Sequence, residues 1–227
     1  MQRVLREVHL WSKLRHQNVV PLLGFVTQFD LTISIVSEWM HKGNAFEYVQ
    51  NTDVDPRPLL QGIANGLNYL HSRDPNPVYH GDLKGPNVLI SNDGHALLTD
   101  FGLSYIVNSS CTFQVAEPRG GTLNWIAPEN LDDYKISPEG DIWAFGMTAL
   151  ELFTRRRPFN EAQSLAALLV RILKGPPDRP TDESTYSRLT DEWWDLCVSC
   201  WKREPLRRPK IAYLVQKTDQ MMAGVRL

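Results

Sequence analysis

Cysteine is scarce in this chain. Only Cys111, Cys197 and Cys200 occur among 227 residues. An odd, sparse count excludes a disulfide framework and points to a reducing compartment. Cys197 and Cys200 form a single C-x-x-C inside WWDLCVSCW. No second ligand pair follows, so both read as core cysteines of a buried helix rather than metal or redox ligands. Long apolar runs are also missing. No stretch approaches the ~20 residues of a membrane span, and MQRVLREVHLW mixes charges where a secretory signal would be continuously apolar. The expectation is a cytosolic or nuclear protein with no membrane partner. The net charge of -2 leaves no broad basic field, so no nucleic-acid partner is expected. Internal repeats and low-complexity tails are absent.

What is present suits a soluble globular chain: 42% hydrophobic and 22% charged residues, enough for one sizeable domain or two small ones. Val4, Leu5, Val8, Trp11 and Leu14 are spaced by threes and fours, which predicts a helix over 1–15. The chain opens inside that helix without a cap, an expectation that something precedes it. VVPLLGFV (19–26) and LTISIV (31–36) read as strands, and EWMHKGN (38–44) as a crossover. A helix is expected from Arg57 to Ser72. NVLI and HALLT follow as strands around the turn SNDG. Residues 100–129 read as a long loop, and such loops in compact domains are functional or disordered. Helices are expected at 137–154, 161–174, 190–202 and 210–222. Little β structure followed by mostly helix describes an α+β chain with a small sheet-bearing piece on a larger helical lobe.

Short motifs recur at fixed spacing along this layout. HGDLKGPN occupies 80–87, and Asp100-Phe101-Gly102 begins 13 residues after Asn87. Ala127-Pro128-Glu129 begins 27 residues after Asp100, followed by DIWAFG at 141–146 and by Arg208-Pro209. Each is weak alone; together and in this order they resemble the signature set of eukaryotic protein kinases. GTLNWIAPE (121–129) is similar to the corresponding segment of the tyrosine-kinase-like group, whose members mostly phosphorylate Ser and Thr. The lysine of HGDLK points the same way.

The resemblance implies a protein-kinase-like fold over 1–222: an N-lobe remnant at 1–37, a hinge at 38–44, a C-lobe at 45–222 and a short tail at 223–227. It also implies ATP and Mg2+ as cofactors and a protein substrate. Phosphoryl transfer is mainly positioning plus neutralisation of developing charge. By resemblance Asp82 orients the attacking hydroxyl, and Lys84 sets a cation on the γ-phosphate. Asn87 and Asp100 supply magnesium ligands, and Thr122 orients Asp82 and Lys84. Glu38 and Met40 would bond adenine through their backbone, with Leu89 as the pocket floor and Ser37 at its back. Glu129 and Arg208 would form an ion pair, Asp141 would hold the catalytic loop, and Trp11, Leu22, His80 and Phe101 would form an apolar column. The GTLNWIAPE segment would build the peptide-docking shelf.

Two departures stand against this pattern. No Gly-rich loop or strand lysine precedes residue 1, so Glu7, which resembles that lysine's helix partner, has none in this chain. The expectation is a truncated kinase domain that needs upstream residues for full activity. The alternative is a degenerate kinase serving as an interaction module. Gly81 replaces the usual arginine that binds an activation-loop phosphate, so phosphorylation at Ser104, Tyr105, Ser109, Ser110 or Thr112 is not expected to be the main switch.

Overall fold

The structure is a computed structural model that describes residues 11–26, 34–75, 77–100, 123–132 and 135–224. Of the helix expected over 1–15, residues 11–15 fall in this set: Trp11 and Ser12 are helical, Lys13 is in a turn, and Leu14 and Arg15 are outside the helix, so it ends earlier than expected. Glu7, Phe101, Cys111, Thr122 and the five candidate phosphorylation sites lie outside the described residues.

Strand β1 (Leu22–Val26) pairs antiparallel with β2 (Ser34–Ser37), with an irregularity between Leu22 and Gly24. β1 starts three residues later than expected because Pro21 has no N–H to give a ladder. Residues 18–20 pair elsewhere: Val20 N donates to Leu98 O at 2.9 Å, and Leu98 N to Asn18 O at 2.9 Å. A second antiparallel pair joins β3 (Val88–Ile90) to β4 (Ala96–Leu98). The turn between them has Gly94 at φ 86, a left-handed conformation that glycine adopts without a Cβ penalty.

Among the described residues, six helices follow β2 along the chain. α1 (Ala45–Tyr48) is capped by Asn44, whose side chain accepts from Glu47 N at 2.9 Å. α2 (Arg57–His71) buries Leu59, Leu60, Ile63, Ala64, Leu67 and Leu70, the stripe its sequence spacing predicts. α3 (Pro138–Thr154) is the centre of the molecule. Ser137 caps it through Gly140 N at 3.0 Å and Pro138 fills the first turn. Every residue from Asp141 to Phe153 is buried, as an all-round apolar helix requires. α4 (Leu165–Lys174) begins four residues later than the expected 161, where Ser164 caps it through Ala167 N at 3.2 Å.

α5 (Asp191–Cys200) packs on α3, with the Phe153 and Trp193 rings edge-to-face at 5.7 Å. α6 (Ile211–Gly224) lies along α2. Cys197 and Cys200 are buried in this core, and burial pushes the Cys200 thiol up to about 12. Among the described residues no helix is long and apolar enough to cross a membrane. The α+β architecture therefore has few strands and a mainly helical lobe.

Candidate active site

The segment 80–87 is held from below by a buried carboxylate. Asp141, in the first turn of α3, is 1% exposed. Its Oδ2 accepts from His80 N at 2.7 Å and its Oδ1 from Gly81 N at 2.8 Å. His71 at the end of α2 places Nε2 2.8 Å from the same Oδ2, donating in the tautomer protonated there. One charge buried on a helix N-terminus and met by three donors is a rigid anchor. Gly81 takes φ 76 at this anchor, and a Cβ there would sit 3.1 Å from Ile136. His80 is fully buried, and burial holds its imidazole below the ordinary value against the pull of Asp141, Asp82 and Asp100.

Above the anchor three polar side chains converge. Lys84 Nζ donates to Asp82 Oδ2 at 2.7 Å. Asn87 Nδ2 donates to the same oxygen at 2.8 Å and to Asp82 O at 2.7 Å. The second oxygen, Asp82 Oδ1, is buried with no hydrogen-bond partner among the described residues. A buried acceptor left unmet costs about 1–3 kcal/mol, so it marks a place where an incoming donor would be welcomed. Asn87 is fixed by a short 3-10 turn at Gly85–Asn87. Its carbonyl accepts from Thr99 N at 3.1 Å, which ties β4 and the following Asp100 to the cluster. Asp100 is exposed, in the left-handed region at φ 56.

Backbone bonds connect part of the expected hinge to β3. Gly43 N donates to Met40 O, and Ile90 N to Gly43 O, both at 3.0 Å. Asn44 bridges Leu89, so residues 43 and 44 lie beside β3. Glu38 is exposed, Met40 and Leu89 are half-buried, and Ser37 is exposed at the end of β2. Of the apolar column, Trp11, Leu22 and His80 are all buried.

The framework pair is present. Arg208 meets Glu129 through two bonds of 2.6 and 2.7 Å and also donates to Glu139 O and Lys202 O. Its side chain is 0% exposed while that of Glu129 is 30% exposed, so the pair is buried on the arginine side only.

Sequence reasoning missed Glu151. It lies fully buried on α3, and its Oε2 accepts from Gly85 N at 2.7 Å and Trp125 Nε1 at 3.1 Å. It thus ties the 80–87 segment to the 123–125 turn. Burial raises its carboxyl to about 7, against the bonds from Gly85 and Trp125 and the charges of Arg157 and Lys84. A lone acid in the apolar run MTALELF was the available signal. His71 was missed too, and nothing in its spacing marks it.

A family model of the protein kinase domain matches residues 1–218. The chain is 34% identical to serine/threonine-protein kinase CTR1 of Arabidopsis thaliana over 93% of this chain and 26% of that protein. It is 33% identical to mitogen-activated protein kinase kinase kinase 3 of the same plant, over 92% of this chain and 32% of the relative. Against mitogen-activated protein kinase kinase kinase 12 of Rattus norvegicus the identity is 31%, over 94% and 23%. The chain therefore spans about a quarter to a third of the length of these curated relatives.

Proposed function

This chain belongs to the protein kinase domain family, and we propose that it carries the site for ATP-dependent phosphoryl transfer to Ser and Thr hydroxyls of protein substrates. The carrying observation is the Asp82, Lys84 and Asn87 cluster, bonded at 2.7 to 2.8 Å and suspended on Asp141. The proposed chemistry follows from what each atom can still do. Among the described residues Asp82 keeps one carboxylate oxygen unengaged, the acceptor an incoming hydroxyl needs when it gives up its proton. Lys84 has three donors, so one stays on Asp82 while another reaches a phosphoryl oxygen. Asn87 spends its amide hydrogens on Asp82, which leaves its amide oxygen as the ligand atom.

That oxygen and the Asp100 carboxylate form a hard oxygen donor set that fits magnesium. Bound there with ATP, the ion would neutralise phosphate charge. Glu38, Met40 and Leu89 would receive adenine. Thr122 is proposed to orient Asp82 and Lys84. Ser/Thr preference is supported by Lys84 and by the names of the relatives. Protein rather than small-molecule acceptors are supported by the 123–130 segment, which is latched to the catalytic loop through Glu151.

The test measures labelled phosphate transfer from ATP and magnesium to a general protein acceptor. Transfer by the natural protein that falls by at least about a thousandfold in Asp82→Asn and in Asp100→Asn is the expected result, in the range of losing a group that stabilises the transition state. Undiminished transfer in Asp82→Asn refutes the site. No transfer by the natural protein, with partner binding intact in both variants, favours the interaction-module reading.

A further inference from the structure

Three consecutive arginines, Arg155 to Arg157, follow α3. They do different things. Arg155 is turned inward at φ 59 and donates to the carbonyls of Val49 at 2.7 Å and Phe153 at 3.1 Å. Its guanidinium stacks over Tyr186 at 4.4 Å. Arg156 and Arg157 are exposed, and among the described residues neither meets a carboxylate within ion-pair distance.

These arginines line an open cavity of about 620 Å³, together with Arg171 and Arg179. Its carboxylates are Glu161, Asp178 and Glu183, so five positive charges face three negative ones, an excess of two. The chain as a whole carries -2. Arg171 is already paired with Asp178 at 2.9 Å and lies 3.6 Å from Glu161, and Arg179 is paired with Asp191 at 2.7 Å. Arg155 is spent on backbone carbonyls and on Tyr186, so the exposed guanidiniums left without a carboxylate within ion-pair distance among the described residues are those of Arg156 and Arg157.

The wall of the cavity is linked to the catalytic loop through α3. Leu150 and Thr154 line it, and Glu151 between them holds Gly85 of the catalytic loop. The charges of Arg157 and Lys84 both act on the Glu151 carboxyl. On the other side Pro158, also in the lining, accepts from Asn124 Nδ2 at 2.6 Å. The wall of the cavity is thus tied to the 123–125 turn by one hydrogen bond. An extended peptide advances about 3.3 Å per residue, so residues a few places from a bound acceptor come within range of it. The planar guanidinium fork suits carboxylates, and its charge persists at any physiological pH.

We propose that Arg156 and Arg157 dock acidic side chains flanking the acceptor hydroxyl of the protein substrate; that the ligand is the substrate rests on the function proposed above. The experiment uses matched Ser-acceptor peptides with Glu, Gln or Lys flanks. The natural protein should phosphorylate the Glu peptide with a kcat/KM on the order of tenfold above the Gln peptide, as one charge-assisted contact provides. Arg156→Gln with Arg157→Gln should bring that ratio towards one, and Arg156→Glu with Arg157→Glu should turn the preference to the Lys peptide. Equal use of all three peptides by the natural protein, or a preference unmoved by either double variant, overturns the proposal. If no peptide is phosphorylated, the transfer reading has failed and docking is read separately by fluorescence anisotropy of the labelled peptides. Selective, salt-weakened binding of the Glu peptide that the reversed variant loses supports docking. Equal binding of Glu and Gln peptides, or none, overturns it.

Discussion

The β1–β2 pair and the helical lobe are written in similarly apolar sequence, yet they bury it very differently. In LLGFV, Leu22 is buried while Leu23 is 66% and Phe25 46% exposed. Val36 on β2 and Trp39 just after it are exposed too. In α3, Phe145 and Phe153 are completely buried. The difference lies in what surrounds each element. α3 is enclosed by α2, α5, the 3-10 turns and the catalytic loop, so an apolar residue on any face finds a neighbour. A two-stranded sheet has two faces and two edges, and such a pair is marginally stable by itself. Leu23 falls at the irregularity between Leu22 and Gly24, where no residue of β2 stands opposite it. Hydrophobicity supplies the drive for burial, and the number of packed layers decides whether it is satisfied.

The largest effect that would sharpen this contrast belongs to Phe153→Ala. It empties a fully buried site against Trp193 and should lower unfolding free energy by about 3–5 kcal/mol in denaturant titration. Arg208→Ala should match it, at about 3–5 kcal/mol, because Glu129 loses both its bonds and the buried side chain leaves a hole.

Glu151→Gln comes next and is read as a pH dependence. The folded carboxyl is raised from 4.5 to about 7, so the folded state binds more protons than the unfolded one between those values. Stability from this group is fully present below about 4.5, falls as pH rises, and is lost through about 7. The natural protein should lose on the order of 3 kcal/mol across that window, and the variant should lack this slope. Parallel pH profiles would show that Glu151 is not the group responsible.

Gly66→Ala probes the seam between the regions. A Cβ there would lie 2.7 Å from Asn18 O and 2.8 Å from Leu98 Cδ1. It should cost about 1–3 kcal/mol by overpacking and weaken hydrogen-exchange protection of Val20 and Leu98 first. The smallest effect is expected at Leu23→Ser, within about 0.5 kcal/mol. A cost there approaching that of Phe153→Ala would break the comparison.

Much of the site was legible beforehand because its chemistry is local in the chain. Asp82, Lys84 and Asn87 fall within six residues, and a single tight segment brings them to bonding distance. Asp141 was legible through DIWAFG. Glu151 and His71 were not, since each acts on a residue far away in sequence, Gly85 and Asp141 respectively. No periodicity encodes such a meeting.

By itself the sequence determined the order of elements, the family, and the start of α3 at Ser137, because these depend on spacing and neighbouring residues. Only the tertiary structure decided which polar groups would be buried and what they would meet. It turned Glu151 from one acid in an apolar run into the tie between the catalytic loop and the 123–125 turn. It also separated the inward Arg155 from the exposed Arg156 and Arg157 within one triplet. Burial and long-range hydrogen bonding depend on the packing of elements distant in sequence, and that packing sets the environment each charge experiences.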